Sequence, residues 1–398
     1  MAVDDRRAPV LSSKCRGDLR LPAHRSARRG GADPERPDRR GRSAVAGGAG
    51  RRTRRVQPDA PGESGSRHHN RPGRIADVRR AILRLAAASV LAGGALACAP
   101  GPDIAPESRA ATAGFCSNVP RGQYADLERV EVADDWFEVY RVAPRVYAIY
   151  EPFQFQEVIS YLILGEEGAL LFDAGMGIGG IRAVVDELTA LPVTVLNSHT
   201  HMDHVGGNAE FERVLAMDTE FTRTRARGRT NAEVRGEVAA SALCRALPAG
   251  ITEDNYHTPA FEISAFIDDG HRIELGGRTL EVIAVPGHTP DAIALLDREA
   301  RFLWTGDSFY EGPIWLFAPE TDLEAYRTSV ARLAELVPGL TTLFTAHNTP
   351  VAPPSRLLEL HDAVEAMFDG IAVGNRLGDG GVEFVFEGFS IIVGPDPR

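Results

Sequence analysis

From about residue 128 onward, short apolar runs alternate with longer stretches of helical spacing. That alternation predicts an α/β architecture. Residues 142–150 and 158–164 read as strands, and 168–173 as a buried strand ending at Asp173. Residues 181–188 space their apolar positions three and four apart, as a helix does. Residues 193–196 form a strand that stops just short of a histidine-rich string. Residues 211–247 are charged and expected to be mostly helical, with little strand character. Further strands are expected at 280–285, 301–304 and 340–344, amphipathic helices at 323–336 and 354–368, and a closing hairpin over 382–393 around Glu387 and Gly388.

Upstream the pattern is missing. Residues 1–77 are rich in Arg, Pro and Gly without apolar periodicity, so they cannot bury a core and are expected to be disordered. A start codon assigned too far upstream is the other account of this basic leader. Residues 78–98 have the form of a signal peptide: Val78-Arg79-Arg80, an apolar run over 81–97 broken only by Arg84, then Ala95-Leu96-Ala97-Cys98. The run is too short for a spanning helix. It resembles a lipoprotein signal, although Ala95 stands where leucine is preferred. The expectation is an exported protein, periplasmic or anchored to the outer membrane through a lipid on Cys98. Residues 99–125 read as a linker and 126–398 as the catalytic domain. Cys116 and Cys244 either pair, as export would allow, or stay as separate buried thiols.

Charge changes the picture once. Residues 1–98 carry 22 Lys and Arg against 9 Asp and Glu, whereas the remainder carries 22 against 46. A body this acidic repels phosphate backbones, which argues against nucleic acid as a partner. Lys14 is the sole lysine, the mark of a GC-rich coding bias rather than of a binding device.

The chemistry gathers at His199-Thr200-His201-Met202-Asp203-His204, followed by Val205-Gly206-Gly207-Asn208. In extended backbone, residues two apart point the same way, so His199 and His201 can reach one metal from one face. Asp203 and His204 lie past the turn and can face a neighbouring metal. Three imidazoles and a carboxylate suit zinc, which takes N and O donors and keeps a position open in catalytic sites. Four other strands repeat one arrangement. They run into Asp173, into Pro286-Gly287-His288, into Thr305-Gly306-Asp307 and into Thr345-Ala346-His347. Each sets a polar residue just past the carboxyl end of an apolar strand, where α/β proteins place their sites. A lone His-x-His is weak evidence; the repetition is the specific signal.

These segments, spread over roughly residues 135–350, resemble the metallo-β-lactamase superfamily. The resemblance implies a four-layer αβ/βα sandwich and a hydrolase with two zinc ions, iron or manganese being alternatives. It places His199, His201 and His288 on the first metal and Asp203, His204 and His347 on the second. Asp307 bridges them, and Asp173 braces the histidine loop from outside the ligand set. It also implies a water made acidic by the metals, with Asp203 orienting it and carrying a proton. An aspartate at 307 is typical of glyoxalase II, lactonases and phosphodiesterases, rather than of true β-lactamases. Glyoxalase II uses a C-terminal domain with lysine contacts to glutathione; the roughly fifty residues after His347 hold no lysine, so the resemblance does not favour glutathione thioesters. The expected substrate is a small acyl thioester, ester or lactone. Rival readings are an exported β-lactamase, a mononuclear iron oxygenase, and a non-catalytic binding protein on the same fold.

Candidate pocket residues are Phe153, Phe155, Tyr310, Trp315 and His257. The plainer readings are aromatics packed on the core and a loop histidine without a role. The segment near 220–247 is a candidate lid.

Overall fold

The computed structural model describes residues 114–395. The basic leader, the signal-like segment and the linker as far as residue 113 lie outside the described residues.

Strands β1 (Glu128–Val130) to β8 (Ala265–Ile267) follow one another across an eight-stranded sheet in chain order. The first five, with β2 Glu138–Ala143, β3 Val146–Tyr150, β4 Ile159–Leu164 and β5 Ala169–Phe172, are antiparallel. From β5 through β6 (Val193–Leu196) and β7 (Val214–Met217) to β8 the pairing is parallel. A five-stranded sheet has the order β14-β12-β11-β10-β9, built from β9 Arg272–Glu274, β10 Thr279–Ala284, β11 Ile293–Asp297, β12 Phe302–Trp304 and β14 Thr342–Phe344. A smaller sheet joins β13 (Pro313–Leu316) to β17 (Ser390–Val393), β16 (Val382–Val385) and β15 (Asn375–Arg376).

Alternation along the strands explains the layering. Leu170 and Phe172 of β5 face a central cluster with Tyr161, Leu280, Val282, Leu295 and Trp304, which fills the space between the two larger sheets. Ala169 and Leu171 point the other way, toward the helix Ile181–Leu188. On the far side, Ile283 and Leu303 pack against the helices Leu323–Leu336 and Arg356–Phe368 through Tyr326, Val330, Leu357 and Leu360. Strands covered on both faces read as continuous apolar runs, which is why β4, β5 and β10 were visible in the sequence. The four layers are helix, sheet, sheet, helix.

Three expectations are corrected. The run over 142–150 is two strands, because Arg145 (φ 60°) turns the chain between β2 and β3. The stretch 211–247 holds β7 and only short helical pieces, the longest being Glu220–Arg225. The linker expected to reach residue 125 is folded from 114 onward. Tyr124 is buried and stacks on Tyr150 at 4.4 Å, and Arg121 bonds Glu157 at 2.6–2.8 Å. Cys116 is disulfide-bonded to Cys244. Among the described residues no helix is long and apolar enough to cross a membrane.

Candidate metal centre

The carboxyl ends of β5, β6, β12 and β14 meet at one edge of the sandwich. Two backbone bonds stitch the sheets together there: Ile293 N–H to Ser198 O at 2.7 Å, and Ile159 N–H to Ala346 O at 2.8 Å. The histidine string leaves β6 and nests in the loop after β5, with Ala174 N–H donating to His204 O and Gly206 N–H to Gly175 O, both at 2.8 Å. A Cβ on Gly206 would lie 2.2 Å from the Met176 carbonyl carbon, so only glycine permits this approach.

All seven expected donors converge. His199, His201 and His288 form one group, Asp203, His204 and His347 another, and His199, His204 and Asp307 link them; within each group the donor atoms lie within 4.8 Å of one another. His199 Nε2 and His288 Nε2 sit 3.0 and 3.1 Å from His201 Nδ1. Two tetrahedral donors at zinc distances would be about 3.3 Å apart. Asp307 reaches both sides, with Oδ1 3.1 Å from His347 Nε2 and Oδ2 3.5 Å from His288 Nε2. His204 Nε2 and Asp307 Oδ1 are buried without a hydrogen-bond partner, an arrangement that costs free energy unless something fills the space they face.

Every imidazole holds its outward nitrogen on a fixed group. His199 Nδ1 lies 3.1 Å from Ser198 Oγ, and His201 Nε2 lies 3.1 Å from Glu320. His204 Nδ1 lies 3.0 Å from Asp173. His288 Nδ1 donates to Trp315 O at 2.9 Å and His347 Nδ1 to Gln156 O at 2.7 Å. Such partners fix the tautomer and aim the other nitrogen inward, as metal ligation requires. Burial, reinforced by neighbouring imidazoles, drives His199 well below its ordinary value and His288 down to about 4, leaving both neutral. Burial alone would raise Asp203, but His204 and His347 beside it hold its carboxyl at about 2. Burial would lower His204 and His347 as well, but the carboxylates of Asp203 and Asp307 beside them outweigh it and raise both. A pair of divalent cations fits this surplus of buried carboxylate by taking the place of those protons.

Asp173 is buried outside the donor set, its Oδ1 accepting from Ser198 N–H at 2.6 Å. The pocket candidates fare differently. Phe153 is partly buried and packs on the core at Trp136, 5.8 Å away, under Arg245. Tyr310 is buried with its ring 4.8 Å from His347, supporting a ligand from behind. Trp315 serves through its carbonyl on His288, its ring lying against Phe317. His257 is exposed and bonds the carbonyl of Asn255 in its own turn. Phe155 is half-buried and stands one residue before Gln156, whose carbonyl holds His347.

Two residues of the site were missed. Glu320 ties His201 to Arg225. Asp291 accepts from Thr200, Thr222 and Thr289 at 2.5–2.9 Å, locking the histidine string to the His288 loop. Asp291 stands three residues after His288 and was open to notice; Glu320 sits in a loop with no motif around it.

Residues 156–368 match the metallo-beta-lactamase superfamily. The chain belongs to that superfamily, as a metallo-hydrolase built on the sandwich and histidine–aspartate cluster described above. Among its relatives is the acyl-coenzyme A thioesterase MBLAC2 of Bos taurus, 30% identical over 189 residues, an alignment covering 44% of this chain and 67% of the relative. A hydroxyacylglutathione hydrolase of Gloeobacter violaceus is 28% identical over 192 residues, covering 47% of this chain and 63% of the relative. The solved MIM-2 metallo-beta-lactamase is 21% identical with a TM-score of 0.40, over 58% of this chain and 89% of that one. The chain thus spans about two thirds of the length of the curated relatives it matches.

Proposed function

We propose that this chain hydrolyses a thioester of a small acyl substrate at a pair of zinc ions. The observation that carries this reading is the two three-donor groups joined through Asp307. The mixed imidazole and carboxylate donors favour zinc over harder ions. The names of the relatives, an acyl-coenzyme A thioesterase and a hydroxyacylglutathione hydrolase, favour the thioester among acyl bonds.

When bound, the metals supply Lewis acidity and a water acidic enough to act as nucleophile at neutral pH. The chain's own residues do the rest. His199, His201 and His288 would hold one ion and Asp203, His204 and His347 the other, with Asp307 placed to serve both. Asp203, ionised throughout the working range, accepts a hydrogen bond from the attacking water and so turns its lone pair toward the carbonyl carbon. As the tetrahedral carbon collapses, the same carboxylate carries the proton to the departing sulfur. Glu320, Asp173, Trp315 and Gln156 keep the imidazoles from swinging, so that the site is organised before substrate arrives.

The test is turnover by the purified, zinc-loaded chain on matched thioester, ester, lactone and β-lactam substrates. Thioester hydrolysis should dominate, and Asp203→Ala should lower kcat/KM by about a hundredfold or more. Turnover of β-lactams alone, or thioester turnover unchanged in Asp203→Ala, would overturn the reading.

A further inference from the structure

The segment between β7 and β8 is bound to both ends of the metal cluster. At one end Arg225 bonds Glu320 at 3.0 Å, and Glu320 holds His201. At the other, Gln154 donates to Glu237 O at 3.1 Å and Phe155 N–H to Ala242 O at 3.0 Å, beside the Gln156 carbonyl that holds His347. Between these ties stands Arg229. Its backbone is pinned to Thr258 by two hydrogen bonds of 2.9 and 3.1 Å. Gly228 before it has φ +79° and comes so close to the opposite chain that a Cβ would lie 2.5 Å from Thr258 O.

This fixed arginine has no partner. Its Nε is buried without a hydrogen bond, and among the described residues its guanidinium makes no ion pair. Thr258 Oγ1 across the bridge, and Glu237 Oε2 on the same segment, are also buried and unpartnered. Thr258 is sealed from solvent, whereas Arg229 is half-buried, so its guanidinium is open to a ligand as the Thr258 hydroxyl is not. Unmet donors of this kind cost free energy that a bound acceptor removes. Glu233, Glu320 and Glu237 lie near the guanidinium, and none of them forms an ion pair with it. In a body carrying 46 acids against 22 bases beyond residue 98, an unpaired cation beside the active edge runs against the trend.

We propose that Arg229, its backbone fixed by the Thr258 bridge, binds an anionic group, carboxylate or phosphate, on the thiol half of the substrate. This rests on the thioester reading above. A planar guanidinium suits either anion bidentately, and the surrounding acidic surface makes a local cation necessary to admit one.

The experiment compares three thioesters of one acyl group on the zinc-loaded chain: coenzyme A (phosphates), glutathione (carboxylates) and N-acetylcysteamine (uncharged). Wild type should prefer one of the anionic thioesters by about tenfold in kcat/KM, and which one names the anion. Arg229→Met should erase that preference through KM while leaving turnover of the uncharged thioester intact, and Arg229→Lys should restore part of it. Calorimetry with the non-hydrolysable S-methyl thioethers of coenzyme A and glutathione gives a readout independent of turnover. Affinity for one of them should fall about tenfold in Arg229→Met. Absence of thioester hydrolysis would sink the thioester reading and leave the binding measurement to decide on Arg229. Wild-type binding of neither thioether, equal losses on charged and uncharged thioesters, or an unchanged Arg229→Met would overturn the proposal.

Discussion

Glu320 shows how a single residue can govern a site it does not enter. It receives the outward nitrogen of His201 at 3.1 Å and is steadied by Arg225 at 3.0 Å. Removing it frees the ring and lowers the basicity of its inner nitrogen. Glu320→Ala should therefore weaken zinc binding by about tenfold to a hundredfold, read by competition with a chromogenic chelator. Glu237 permits a prediction of a different kind. Its carboxyl rises from 4.5 unfolded to about 7 folded, from burial first and then Asp203. The folded state thus keeps an extra proton between those values, and its contribution to stability is lost as pH climbs through that window. Glu237→Gln, which cannot ionise, should gain about 3 kcal/mol on wild type between pH 4.5 and 8 in metal-free urea melts. A pH-independent difference would contradict this. At this scale the seven donors were legible because each stands in a short motif at a strand end. Glu320 and Glu237 were not, since their surroundings are built by neighbours distant in sequence, His201 at 119 residues for one and Gln154 at 83 residues for the other.

Elements deliver these residues through close backbone contacts. The helix Leu323–Leu336 packs on the His288 loop so tightly that a Cβ on Gly287 (φ +145°) would lie 2.3 Å from Tyr326 Cα. The same helix anchors Pro286 O through Ser329 at 2.7 Å and Ser308 O, next to Asp307, through the Tyr326 hydroxyl at 2.7 Å. Gly287→Ala should cost about 3 kcal/mol in denaturant melts, through both strain and displacement of the helix. Metal content should fall with it, because His288 moves with its loop. The long helices and two-face-buried strands followed from periodicity. The strand β11 (Ile293–Asp297) and the strand β13 (Pro313–Leu316) did not. The first ends in Asp297, a buried acid paired with Arg278, which cuts its apolar run short, and the second pairs with β17, nearly eighty residues on, so no local pattern announces it.

Across the whole molecule, the donors come from both large sheets: His199 to His204 after β6, and His288, Asp307 and His347 after strands of the second sheet. Ions held by both halves bind the folded state and not the unfolded one, so they stabilise it. Stripping the protein with a strong chelator should lower Tm by about 5 °C or more, with recovery on adding zinc. An unchanged Tm would mean that the cluster is held by protein contacts alone. The layer order was legible from the sequence, whereas the folding of residues 114–126 onto the domain was not, because that stretch is polar and gains its place through Cys116, Arg121 and Tyr124. The Cys116–Cys244 bond joins residues 128 apart in sequence, closing a loop that includes the whole histidine string and most of the segment that carries Arg229 and Glu237. Two preparations of the same chain, one from a reducing and one from an oxidising host, would then share sequence and metal yet differ in how firmly that segment is tethered over the cluster, and comparisons of substrate preference between laboratories would hinge on the thiol in the buffer.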